Sequence, residues 1–157
     1  MDVYVANAFS QDNSGGNKAG VVLRQHRLNE AEKTKTAFLM GYSETAFVAD
    51  SELADFKLEY FTSVGEVPLC GHATIGTFTV LRHLGRLEKQ EYTIETKSGI
   101  LRIRVDKSGL IFMEQNIPEF YERLDKGDVK ACFDSDGIPD ALPVQIVSTG
   151  LKDIILP

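Results

Sequence analysis

Long apolar runs are missing from this sequence, and so is any run of basic residues. No stretch approaches the ~20 apolar residues that a bilayer-spanning helix needs, so no membrane partner is expected. The N-terminus, Met1-Asp2-Val3-Tyr4-Val5, lacks a basic region and an apolar segment, and does not read as a secretory signal. Acidic residues outnumber basic ones by 23 to 17, for a net charge of -6. Nucleic-acid binding needs a basic stripe to neutralise phosphates, so that class of partner is excluded. Cysteine is scarce. Cys70 and Cys132 are the only two, and neither belongs to a Cys-x-x-Cys or Cys/His pair, so no metal site is expected from spacing. Without a secretory signal the expected location is the reducing cytoplasm, where both are free thiols. Cys132 reads as a small buried hydrophobe. Low-complexity segments and short internal repeats are absent as well.

What is present suits one domain with an ordinary core: 157 residues, 43% of them hydrophobic. Val3 to Phe9 is a nearly continuous apolar run broken only by Asn7, which predicts a strand covered on both faces. Ser10 to Lys18 is a turn-rich loop, and Ala19 to Arg24 a second strand. Asn29 to Met40 predicts a helix, with Asn29 as cap, Glu32 in capping-box position and Gly41 as the stop. Thr45 to Ala49 and Phe56 to Thr62 read as strands. Gly71 to Leu84 is the most informative helix. Its apolar residues Ala73, Ile75, Phe78, Val80, Leu81 and Leu84 go most of the way round, so it belongs in a core and not on a surface. Thr74, Thr77 and Thr79 can return their hydroxyls to carbonyls one turn earlier.

Three strands follow, Glu91 to Lys97, Ile100 to Val105 and Leu110 to Gln115, separated by turns at Ser98-Gly99 and Lys107-Ser108-Gly109. Leu101, Ile103 and Val105 alternate with Arg102 and Arg104, which gives that strand one wet face. Pro118 to Pro143 is mixed, with a short helix over Asp128 to Phe133 and an acidic loop from Asp134 to Asp140. Val144 to Ser148 is a further strand. Thr149 to Asp153 is turn-like, and Ile154-Ile155-Leu156 opens another apolar run. His26 and His83 have no context beyond a surface.

Three segments form an ordered set. Asn7-Ala8-Phe9-Ser10 leads to Gly15-Gly16-Asn17-Lys18-Ala19-Gly20-Val21-Val22. Tyr42-Ser43-Glu44-Thr45-Ala46-Phe47-Val48 comes next. Tyr60-Phe61-Thr62 then precedes Glu66-Val67-Pro68-Leu69-Cys70-Gly71-His72-Ala73-Thr74-Ile75-Gly76-Thr77. In this order and spacing they resemble the N-terminal half of PhzF-like proteins, the isomerase/epimerase family of phenazine biosynthesis. Ser148-Thr149-Gly150-Leu151 resembles the junction into that family's second domain. The resemblance implies an α+β, diaminopimelate-epimerase-like fold, a curved and mostly antiparallel sheet wrapped around a central helix, here Gly71 to Leu84. It implies a site in a cleft between two domains. Residues 1–148 are then the first domain, and 149–157 the start of a linker or first strand of a second.

Such chemistry moves a proton between carbons without a cofactor. It needs a base within ~3 Å of the carbon-bound proton and fixed donors for the substrate's anionic group. On residue type alone, Glu44 is a solvated strand-end carboxylate. The resemblance makes it the catalytic acid/base. Gly71, His72, Ala73 and Thr74 open the buried helix, where free N–H groups make an anion site, and His72 can donate to a substrate carboxylate or carbonyl. Gly15, Gly16 and Asn17 form a second candidate nest. Cys70 raises a rival. It sits where diaminopimelate epimerase and proline racemase carry a catalytic cysteine, at a helix start that stabilises a thiolate. Three functions therefore stand side by side: a cofactor-independent isomerase acting on a small anionic metabolite, a cysteine-dependent amino-acid racemase or epimerase, and a non-catalytic binding or assembly module. The strand-like end and an exposed cleft wall predict self-association, most simply as a homodimer.

Overall fold

The computed structural model describes residues 2–12, 14–23, 28–132 and 141–157. Arg24, His26, Phe133 and the acidic loop 134–140 lie outside the described residues. The chain divides into two compact units, Met1–Glu114 and Gln115–Pro157. No helix among the described residues is long and apolar enough to cross a membrane.

The first unit is built on an eight-stranded mixed sheet. Its strands are β1 (Asp2–Ala8), β2 (Asn17–Leu23), β3 (Thr45–Ala49), β4 (Phe56–Phe61), β5 (Glu66–Val67), β6 (Glu91–Thr96), β7 (Gly99–Val105) and β8 (Ile111–Met113). The order is β1-β2-β3-β4-β6-β7-β8, with β5 paired to β4. Most neighbours are antiparallel and joined by short turns. The joins β2–β3 and β4–β6 are parallel. A parallel pair requires a crossover, and each crossover here carries a helix: α1 (Glu30–Met40) between β2 and β3, and α2 (Gly71–His83) between β4 and β6.

The two helices take opposite faces of the central strands. Val22, Phe47 and Phe61 turn towards Ala37 of α1. Their alternating neighbours Ala19, Val21, Ala46, Leu58 and Tyr60 join the clusters around α2. That is the period-2 alternation of strands buried on both sides. Lys33 of α1 is buried and clamped to Glu59 of β4 at 2.6 Å. The capping box forms as its sequence predicts, with Glu32 N–H donating to Asn29 Oδ1 at 2.9 Å and Asn29 N–H to Glu32 Oε2 at 2.8 Å. Gly41 closes the helix in the left-handed region at φ 71°.

Helix α2 touches β1, β2 and β3 near one edge of the sheet and β8 at the other, so the sheet curls around it. Ala73, Thr74, Gly76, Thr77, Phe78, Val80 and Leu81 are buried. Among its interior turns only Thr79 is exposed. Gly76 permits close approach, because a Cβ there would stand 3.0 Å from the Ala6 Cβ. All three threonines back-bond, to the carbonyls of Cys70, Ala73 and Ile75.

The second unit holds β9 (Glu119–Leu124), α3 (Lys126–Lys130), β10 (Val144–Ser148) and β11 (Lys152–Ile155), with sheet order β11-β10-β9. Val129 and Val144 are buried. All four β11 residues are exposed.

Several expectations need correction. β1 is an edge strand with one open face, so Val3 and Val5 are exposed while Tyr4, Ala6 and Ala8 face the core. β2 begins two residues earlier than expected, because its register with β1 extends to Asn17. Strand β9 occupies a stretch that reads as mixed, and the short helix is Lys126–Lys130, started by the Asp125 side chain accepting from Gly127 N–H. Cys132 is exposed just beyond that helix, and not a core residue.

Phe78 is fully buried and meets Phe56 edge-on at 5.8 Å between centroids. Phe78→Ala is expected to cost about 3–5 kcal/mol, measured by urea denaturation. A loss under about 1 kcal/mol would mean that α2 is not the centre of this core.

Candidate active site

Two arms bring the site together. The first is the start of β3. The Gly20 amide donates to the Glu44 carbonyl at 3.1 Å, and Gly20 pairs with Thr45. This fixes Glu44 at the mouth of a central strand. The second arm is the start of α2, where Cys70 is the helix cap, in extended conformation. Thr74 locks that turn. Its amide donates to the Cys70 carbonyl at 3.1 Å and its hydroxyl donates to the same oxygen at 2.7 Å. The hydroxyl has one proton, so at the 2.6 Å contact with Tyr60 Oη it must accept, and Tyr60 donates.

These arms place three functional groups in one cluster, with ligand-type atoms of Glu44, Cys70 and His72 all within 4.8 Å of one another. His72 Nε2 lies 3.3 Å from Glu44 Oε2 and 3.4 Å from Ser43 Oγ. His72 Nδ1 lies 3.3 Å from Cys70 Sγ. The imidazole thus bridges the carboxylate and the thiol. Glu44 Oε2 is buried, and among the described residues it has no partner in hydrogen-bond geometry, its approach to Nε2 included. A carboxylate oxygen in that state retains open lone pairs where a proton can be received.

The thiol behaves differently from the sequence expectation. Burial pushes the Cys70 pKa up to about 12, and the nearby Glu44 charge adds to the rise. The Ala73 and His72 amides pull the other way without overcoming it. A helix start alone favours a thiolate; here desolvation outweighs it.

The remaining predicted residues distribute as follows. Gly71 is exposed, and an added Cβ there would meet open space. Ala73 and Thr74 are fully buried, and the polar groups of Thr74 already serve the helix turn. Gly15 and Gly16 have positive φ, and a Cβ on Gly16 would stand 2.6 Å from both Ala8 O and Asn7 Oδ1. Asn17 begins β2. Because β2 and β3 are parallel, this loop and Glu44 lie at the same end of the sheet. His83 is exposed on the last turn of α2. Sequence reasoning missed Ser43 and Tyr60 as site residues. The first flanks Glu44 and the second faces α2 from β4, a contact that only the sheet register reveals.

The curled sheet around a buried helix defines a domain of the diaminopimelate-epimerase-like class. A hydroxyproline epimerase from Agrobacterium vitis matches its fold with a TM-score of 0.65 over 97% of this chain and 50% of that one, at 11% identity. Residues 6–157 match the family described as phenazine biosynthesis-like protein (PhzC-PhzF). A Bacillus subtilis relative named as the uncharacterized isomerase YfhB is 40% identical over 99% of this chain and 56% of its own length. The crystal structure of a Bacillus anthracis phenazine biosynthesis protein of the PhzF family is 37% identical, with a TM-score of 0.81 over 100% of this chain and 56% of that chain. The chain belongs to the phenazine biosynthesis-like family, and it spans about half the length of the curated relatives it matches.

With a pKa of about 12, roughly one Cys70 in ten thousand is a thiolate at pH 8. Iodoacetamide at pH 8 is therefore expected to label exposed Cys132 while Cys70 lags by about 10²-fold or more, the lag shrinking as pH rises towards 12. Peptide mass mapping over time checks this, and equal rates at pH 8 would refute the buried, neutral thiol.

Proposed function

We propose that this chain forms the acid/base half of a cofactor-independent isomerase, with Glu44 moving a proton between carbons of a small anionic metabolite. The observation that carries this reading is the buried Glu44 Oε2, 3.3 Å from His72 Nε2 and without a hydrogen-bond partner among the described residues. Oε2 takes the carbon-bound proton, and the resulting carboxylic acid returns it to another carbon. His72, half-buried between Ser43, Glu44 and Cys70, lies beside the carboxylate at 3.3 Å and donates to a substrate carbonyl or carboxylate. The open space at Gly71 is where the substrate's anionic group meets the start of α2. Residues 149–157 lead towards a second domain, which supplies the opposite wall of the cleft.

The racemase reading requires Cys70 as a thiolate base. Its pKa of about 12 speaks against that role, and the thiol packs beside the reacting groups as a neutral neighbour. The isomerase names of relatives support the enzyme reading over a purely structural module.

In a catalytically complete form, exchange of carbon-bound hydrogen with D2O, followed by NMR across a panel of small carboxylic acids, reads the proton transfer. Glu44→Gln is expected to slow exchange by ~10²-fold or more, and Cys70→Ser by less than about tenfold. Exchange that survives Glu44→Gln and vanishes in Cys70→Ser hands the site to the racemase reading. Assembly follows the same picture. The open edge at β11, with Ile154 and Ile155 about half exposed, is expected to pair with a second copy. Light scattering at micromolar concentration then gives a dimer, and a clean monomer would remove that proposal.

A further inference from the structure

Sequence spacing hides a donor set that the fold assembles. Glu44 lies far upstream of Cys70 and His72, and Cys-x-His alone is not a recognised zinc spacing. Yet one oxygen, one sulfur and one imidazole nitrogen converge within 4.8 Å of one another. In a tetrahedral zinc site, bonds of about 2.0–2.3 Å put neighbouring ligand atoms about 3.3–3.6 Å apart. Here the three donor atoms stand within 4.8 Å, with Cys70 Sγ 3.3 Å from Nδ1 and Glu44 Oε2 3.3 Å from Nε2, so the thiol and the carboxylate flank different imidazole nitrogens. A cation bound to one imidazole nitrogen recruits the other two donors by turning the His72 ring and swinging the Cys70 or Glu44 side chain, across a gap that must close from at most 4.8 Å to the ligand spacing of about 3.3–3.6 Å. Glu44 Oε2, buried and without a hydrogen-bond partner among the described residues, gains a bond when a cation arrives. Its carboxylate and the thiolate formed on binding balance the cation's two charges.

We propose that the Glu44–Cys70–His72 cluster is a three-ligand site for a soft divalent cation of the zinc class, and that occupancy holds the enzyme in a resting state. Binding displaces the thiol proton to solvent, and Sγ, an imidazole nitrogen and a Glu44 oxygen form the three protein bonds. The fourth tetrahedral position is left to water or a substrate carboxylate. The binding stands on the donor geometry alone. Its effect on turnover rests on the catalytic role of Glu44, because a coordinated oxygen cannot receive a proton.

Cobalt(II) tests the binding, since a thiolate ligand gives a near-ultraviolet charge-transfer band that carboxylate and imidazole do not. The titration uses the chain carrying Cys132→Ser, which removes the exposed competing thiol. A 1:1 complex with that band, one proton released per cation, and displacement by Zn²⁺ are expected. The band is expected to vanish in Cys70→Ala. Glu44→Gln should keep it while weakening binding by at least roughly 10–100-fold, the loss that even an outer-shell change brings. Circular dichroism establishes that each variant is folded. No band in the folded Cys132→Ser chain, or a band that persists in Cys70→Ala, overturns the site. Zn²⁺ should also suppress D2O exchange in a catalytically complete form. Binding without suppression would leave the metal site standing and remove Glu44 from catalysis. Suppression without the band would overturn the metal site and leave the role of Glu44 intact.

Discussion

The first turn of helix α2 buries Ala73 and Thr74, and the polar groups beneath them must be satisfied inside the fold. Thr74 and Tyr60 meet this constraint in a directed chain: Tyr60 donates to Thr74, and Thr74 donates to the Cys70 carbonyl. A buried hydroxyl left without a partner costs about 1–3 kcal/mol, so neither residue can be exchanged for an apolar one without disturbing the other. The chain pins the helix cap to β4. Because Cys70 is the cap and His72 follows it by two residues, fixing the turn fixes both side chains against Glu44. The site inherits its geometry from a hydrogen-bonding demand of the core.

The electrostatics of the cluster turn on a contest between two familiar effects. A helix start stabilises a nearby negative charge by about 0.3–1 kcal/mol, and up to about 2 in buried geometries. Raising a thiol pKa from 9 to about 12 corresponds to about 4 kcal/mol against the thiolate. Desolvation and the neighbouring carboxylate therefore win, and Cys70 stays neutral. The carboxylate benefits from the same arrangement, because a neutral thiol does not repel it and the imidazole lies on its other side. One helix start can serve thiolate chemistry in one protein and carboxylate chemistry in another, depending on how deeply the cap is buried and what charge faces it.

This contest also explains which features were legible in the sequence. Local rules survived intact: the capping box at Asn29 and Glu32, the stop at Gly41, the wet alternation of Arg102 and Arg104, and the back-bonded threonines all depend on residues within a turn or two of one another. The all-round apolarity of α2 anticipated its burial because no surface helix tolerates that pattern. Features set by distant neighbours were not legible. Val3 and Val5 look like core residues until β1 is known to be the outermost strand. Strand β9 has exposed residues at most positions and no clean alternation to announce it. The state of Cys70 depends on Glu44 and on burial by strands far off in the chain, so the helix-start rule pointed the wrong way. The approach of Tyr60 to the cap is likewise a matter of register between β3 and β4.

Register is also what joins the two arms of the site. Glu44 reaches the cluster because Gly20 faces Thr45 in the parallel β2–β3 pair and donates to the Glu44 carbonyl. A Cβ at position 20 would stand 2.6 Å from Thr45 Oγ1, so only glycine lets β2 lie this close. A slip of one residue in that pair would turn every β3 side chain to the other face. Ala46 would leave the α2 side and Phe47 would leave Ala37, so both cores oppose it. The hydrophobic packing on the two faces of β3 thus guards the position of a polar side chain that belongs to neither core. Cys70 and His72 arrive independently, through α2 and its own packing. Such a site is sensitive to both arms and tolerant of the loops between them, because its precision comes from a strand register and a helix cap, which are the two most rigidly determined features of this unit.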